Sequence, residues 1–355
     1  MTRNRMPRWL SEGISVYEEI EENPAWGRRM SIDFRERILD REAQPISQMS
    51  AAFLQAQDDE GIQFAYFQSY LVVKFLFEKY GTEAMQKVLH DLGHGITTNE
   101  ALNDHVAPLE FLDRAFSSWA RDLANEMGGD YELSTPETML EKALAAMTPN
   151  DSYQEAMTAA GELVAAEKWE EARDSLKEII EGAGFIPGEQ NAHDLLAFVY
   201  QQLEDIEKER AVWITISQQD AHNLDAVIRL LTMAFERDDW EALQQWSNAW
   251  LAINPLAETP WRGLLKSGEE LETPDQAIAA AEALIHLDPH DIASVHYRLA
   301  KLMLPSDKDR AHRQVLMALE EAPRFRDAYK LLDSLNEADQ EDTFPFGLKT
   351  APSNE

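Results

Sequence analysis

Cysteine is absent from the 355 residues. That excludes disulfides, thiolate metal ligands and a cysteine nucleophile together, while leaving the compartment open. Long apolar runs are absent too: the longest stretches, such as 70–77, are the size of a core helix, so no membrane span is expected. Basic residues are scarce. Lys and Arg number 32 against 65 Asp and Glu, a net charge of −33. A field of that sign repels phosphate backbones and anionic headgroups, so nucleic acid is not an expected partner. The surplus reads as the solvated faces of helices. Also missing are a Gly-x-Ser-x-Gly elbow, a phosphate loop and a dinucleotide fingerprint. Ser11 and Ser69 have no convincing base nearby in sequence, so no nucleophile is assigned. The basic start, Thr-Arg-Asn-Arg-Met-Pro-Arg, leads into no apolar signal segment.

What is present is enough for a core, with hydrophobic residues at 44%, and a length that predicts two units or one domain plus a repeat array. The second half is periodic. Pro255, Pro289 and Pro323 are spaced by 34 residues. Twelve positions before each proline stand Leu243, Ala277 and Ala311, two of the three alanine. One period earlier the position holds Glu209, a departure, and Ala172 lies 37 residues before that, which places an insertion of three in Glu-Gly-Ala-Gly-Phe-Ile-Pro-Gly at 181–188. Turn signatures recur at 167–172, 237–242 and 273–277, and Trp261 with Leu264 and Leu265 marks a first-helix face. The 34-residue period with these positions resembles the tetratricopeptide repeat. Five helix pairs follow, roughly 151–181, 190–221, 224–255, 258–289 and 292–323, with 326–335 as a capping helix over the last apolar face. The array is expected at 151–335, and the acidic tail at 336–355 is expected to be disordered.

Residues 1–147 read as helical. Apolar spacing predicts helices at 31–39, 64–80, 82–92 and 108–127, broken at Gly81, Gly93, Gly95 and Gly128-Gly129, and nothing alternates as a strand. The opening Met-Pro-Arg-Trp-Leu-Ser-Glu-Gly, followed by Ala-Tyr-Phe-Gln-Ser-Tyr-Leu-Val-Val-Lys-Phe-Leu-Phe-Glu-Lys-Tyr-Gly at 65–81, resembles the helical C-terminal subdomain of peptidase MA-like, gluzincin-type zinc metallopeptidases. The fold class expected is therefore all-α, such a subdomain followed by an α-solenoid of helix pairs. In that family H-E-x-x-H gives two zinc ligands and the general base, and a glutamate on a later helix gives the third ligand. The resemblance makes Glu12 that third ligand in the intact relative and Tyr66 a donor to the oxyanion, a role a phenol suits because it stays protonated at neutral pH. Two plainer readings stand beside these: Glu12 as a helix N-terminal charge, and Tyr66 with Tyr70 as one packed helix face.

H-E-x-x-H occurs nowhere in the chain. Met1 falls where the linker between the two zinc helices would be, so the chain is expected to begin inside a longer reading frame or to be a truncated gene product. Alone it is expected to carry no cofactor and no catalysis; zinc belongs to the intact relative. Extracytoplasmic location is implied only if a signal lies upstream. His90 and His94 share the i, i+4 spacing of a helix metal pair. Gly93 and Gly95, however, predict that the helix ends there with His94 in a turn, the bland alternative being a pair of dipole-favoured C-terminal histidines.

The competing reading is a non-catalytic scaffold that holds a protein or peptide partner in the concave groove of the array. The family's groove spacing nominates Asp194, Phe198, Ile228, Arg262, Lys266 and His296. Arg262 and Lys266 are a local basic exception able to take a peptide carboxylate, or to pair with nearby acids such as Glu269 and Glu270.

Overall fold

The computed structural model describes residues 2, 5–27, 29–133, 151–188 and 191–342. The described residues are overwhelmingly helical and fall into two compact units, Met1–Asn223 and Leu224–Glu355.

In the first unit, α1 (Arg8–Glu22) starts after Pro7 and α2 (Ile32–Leu39) is capped by Ser31, whose hydroxyl accepts the Phe34 amide. A 3-10 turn, Ile46–Ala51, runs into the short α3 (Ala52–Gln55). The long α4 (Asp59–His94) is capped by Asp58 and broken at Gly81, where φ 80° and ψ 169° are open to glycine alone. Its far end stops at Gly95 in the left-handed conformation, so His94 is the last helical residue and not part of a turn. A further helix, α5 (Thr98–His105), is held by a capping box between Thr97 and Glu100, and α6 (Leu109–Glu126) follows. These elements close on a core in which Trp9, Leu10, Phe75, Leu76, Met85 and Phe116 are fully buried.

The remaining helices come in pairs. In the first unit they are α7 (Tyr153–Ala165) with α8 (Trp169–Ala183) and α9 (Ala192–Gln202) with α10 (Ile206–Gln219). A single parallel bridge of two residues, Tyr131–Glu132 against Asp151–Ser152, precedes them. In the second unit they are α11 (Leu224–Glu236) with α12 (Trp240–Ile253), α13 (Glu258–Glu270) with α14 (Pro274–His286), and α15 (Ile292–Met303) with α16 (Lys308–Glu321). The last helix, α17 (Arg326–Asp342), runs past the expected end at 335; residues 343–355 of the expected tail lie outside the described residues.

The turn inside four of the five pairs shows why the period exists. Glu167, Glu204, Asp238 and Glu272 all take φ of 54–56°, which reverses the chain in one residue. After Glu204 and Asp238 the next residue caps the second helix, Asp205 and Asp239 each accepting an amide; Asp307 caps α16 at the same register, and Thr273 is followed by Pro274 at the first helical position. Helices then cross closely. A Cβ on Gly268 would lie 2.9 Å from that of Ala277, and Ala172, Leu243, Ala277 and Ala311 are wholly buried. Glu209 occupies the same register, 2% exposed, and its carboxylate accepts the Trp213 indole N–H at 3.2 Å. The departure from a small residue is thus matched by a local donor.

Candidate functional site

The placement of Glu12 begins with its neighbour. Gly13 meets α4 so closely that a Cβ there would lie 2.4 Å from the Ser69 carbonyl oxygen. With Trp9 and Leu10 buried on the same inner side, this crossing fixes the rotation of α1. Its Arg8 and Glu12, one turn apart, then face the start of α4. Arg8 Nη2 donates to the Tyr66 hydroxyl at 2.9 Å, and Arg8 Nε stands 3.6 Å from Glu12 Oε1. The guanidinium lies 4.4 Å over the Phe53 ring, against whose face Tyr66 packs edge-on at 5.0 Å. The hydrogen bond from Arg8 to Tyr66 is the main cause that raises the already high Arg8 pKa, with Glu12 adding to it. The structure therefore brings Glu12 and Tyr66 to one place and puts a fixed positive charge between them.

Zinc needs at least three protein ligands. Among the described residues no three His, Asp or Glu side chains converge, and Glu12 already has a cationic neighbour. The donor set does not fit the ion. His90 and His94 stack with ring centroids 4.4 Å apart, but His94 Nδ1 is 3.0 Å from the His90 carbonyl. Asp91 is held by His105 at 2.8 Å, which is the main reason its carboxyl sits below the usual range.

Tyr66 also lines a cavity of about 750 Å³ in the first unit. Its walls come from α1, the 23–31 segment, α2, the first half of α4, the 184–188 segment and the end of α10. Arg29 Nε donates to the Gln219 carbonyl at 2.7 Å, and the Ala221 amide donates to the Ala25 carbonyl at 2.9 Å. These bonds hold Ala25 and Arg29 in place. Burial lowers the Arg29 pKa and raises that of Tyr70.

The nominated groove residues fare differently. In the first unit Asp194 accepts from Asn191 Nδ2 at 3.0 Å, and Phe198 is exposed with Trp169 against its ring. In the second unit Ile228 is half-buried, and Arg262 is held by Glu258 and, in a two-pronged contact, by Asp291. That pairing lowers the Asp291 carboxyl. Lys266 reaches Glu270 at 2.5 Å and lies 5.0 Å over the Trp240 ring, while Glu269 pairs with Arg298. His296 does not face solvent. It is 6% exposed, with Nδ1 at 2.6 Å from the Gln314 amide oxygen, because α16 covers the part of α15 that the repeat register assigns to the groove.

Arg8 and Phe53 were not legible as site residues. The Arg8-x-x-x-Glu12 spacing was the available signal, but it is shared by ordinary surface pairs.

Residues 1–119 match the model of the peptidase MA superfamily. No curated protein matches the chain. Among solved structures, the crystal structure of MamA protein is 14% identical, covering 56% of this chain and 98% of that one, with a TM-score of 0.35. TTC0263, a thermophilic TPR protein in Thermus thermophilus, is 19% identical over 52% of this chain and 100% of its own, with a TM-score of 0.26. Residues 1–119 are thus similar to the peptidase MA superfamily, and the helix pairs that follow are this chain's own observed architecture.

Proposed function

We propose that this chain is a zinc-metallopeptidase-like protein that is catalytically silent on its own residues and serves to hold a protein partner through its helix pairs. The observation that carries the silence is Arg8. A guanidinium beside Glu12 and bonded to Tyr66 supplies the positive charge that zinc would bring, at the two side chains a peptidase of this type would use. The 355 residues contain no H-E-x-x-H to add two further ligands and a base. In a relative with that motif, Glu12 would complete the ligand set and Tyr66 would donate to the oxyanion. Here Arg8 engages both.

Partner binding rests on the helix-pair architecture, a form that exposes side chains of successive first helices for contact. A ligand held chiefly by a terminal carboxylate at Arg262 and Lys266 is disfavoured, since Glu258, Asp291 and Glu270 already answer both cations. The test of silence is hydrolysis of a fluorogenic peptide library by the full chain with added zinc. No cleavage above buffer is expected. Cleavage that disappears in both Glu12→Gln and Tyr66→Phe would overturn the reading.

A further inference from the structure

The cavity in the first unit has a construction that the repeat and the peptidase likeness leave unexplained. The repeat array departs from its 34-residue spacing by an insertion at 181–188. Part of that insertion builds the cavity wall: Phe185, Pro187 and Gly188 line it. The insertion is fixed there by two contacts. Asn191 Nδ2 donates to the Gly188 carbonyl at 3.0 Å, and the Phe185 ring packs on buried His193 at 5.1 Å. A surface loop inserted without consequence needs neither contact.

The lining pairs aromatic faces with acids. Trp26, Phe34, Tyr66, Tyr70 and Phe185 supply the aromatic surface, and Trp26 is left 46% exposed. Glu19, Asp33, Glu60 and Asp220 are the lining carboxylates, against one lining guanidinium, Arg29. Arg37, outside the lining, pairs with Asp33 at 3.2 Å and Glu60 at 3.6 Å. Two negative charges remain unbalanced among the described residues, and Glu19 makes no ion pair there. Walls of low polarizability focus such a field into the cavity. The chain already seats guanidinium groups over aromatic rings beside lining residues: Arg8, bonded to Tyr66, over Phe53, and Arg37, paired with Asp33 and Glu60, over Phe64 at 5.4 Å. A volume of about 750 Å³ admits a side chain with flanking backbone.

From this we infer that the cavity is a binding site for a guanidinium or ammonium group on an apolar stem, the arginine or lysine side chain of a peptide. Carboxylates hold the charge, aromatic faces take the stem, and the insertion closes one side. The cavity shares Tyr66 with the Arg8–Glu12 site, but Glu12 is not among its lining residues, so cation binding is tested without zinc.

Calorimetric titration of the full chain with acetyl-Ala-Leu-Arg-Leu-Ala-amide at low salt tests it, alongside the same peptide with citrulline or glutamate replacing arginine. The arginine peptide is expected to bind at least about tenfold more tightly than either, because only it brings a cation. Glu19→Gln with Asp220→Asn is expected to weaken it about tenfold. Glu320→Gln with Glu321→Gln, an equal loss of two charges in the other unit, is expected to leave binding unchanged. Glu19 is exposed, so its substitution keeps the fold, and circular dichroism of each variant verifies this. Competition by methylguanidine would show that a free organic cation suffices, and absence of competition that the peptide body is needed; both support the site. Equal binding of the citrulline peptide, equal loss in the Glu320→Gln, Glu321→Gln double variant, or no binding of the arginine peptide and methylguanidine at millimolar concentration would overturn it.

Discussion

Gly13 shows how much one residue decides. It is the residue at which α1 meets the α4 backbone, and a methyl group there would collide with the Ser69 carbonyl, which is not the far end of a flexible side chain. Gly13→Ala is expected to destabilise the first unit by about 1–3 kcal/mol through overpacking, read as a lower denaturant midpoint with unchanged slope. The Trp-Leu-Ser-Glu-Gly run was legible as a motif, yet its glycine's reason lies in a partner helix more than fifty residues away. His193 offers a second test. Its ring is buried with Nδ1 lacking a hydrogen-bond partner among the described residues, and burial lowers its pKa below 6.5. Between the folded pKa and 6.5 the unfolded chain binds more protons, so this residue's contribution is full above 6.5 and declines as pH falls. From about pH 7.5 to 5.5, wild type is expected to lose stability relative to His193→Leu in parallel urea titrations. A constant difference would contradict this.

At the scale of elements, periodicity was the readable part. Prolines, small residues and turn signatures located the helix pairs because each has a fixed physical task at a fixed register. Two things were unreadable for different reasons. Helix α5 buries only two adjacent apolar residues, Ala101 and Leu102, so apolar spacing was silent there and its Thr97/Glu100 box was the available signal. His296 was assigned to a groove because register gives the face of a helix, whereas the extent to which the next helix covers that face depends on packing. The acidic turn residues lead to a prediction. Asp238 and Glu272 sit at φ 54°, a conformation that costs a side-chain-bearing residue about 1–2 kcal/mol. Glycine relieves that strain but adds unfolded-state entropy, about 0.5–1 kcal/mol against it. Asp238→Gly and Glu272→Gly are therefore expected to raise stability by about 0.5 kcal/mol each, measured as small increases in the thermal midpoint; a decrease in both would show that strain is absent.

For the whole molecule, the two units have separate consequences. Leu224–Glu355 forms its own compact unit with buried layers around Leu265, Leu284, Leu299 and Val315. Expressed alone, it is expected to stay helical and unfold cooperatively; a non-cooperative melt would mean that it depends on the rest of the chain. In the first unit, the proposed catalytic silence turns on Arg8 standing beside Glu12 and Tyr66, and on 355 residues that contain no H-E-x-x-H. The most direct measurement is the zinc content of the full chain after loading with excess zinc and gel filtration, compared with Glu12→Gln. Zinc well below one equivalent in both proteins is the predicted result. One equivalent retained by wild type and lost in Glu12→Gln would contradict it, because Glu12 would then be a ligand in a centre that Arg8 does not preclude.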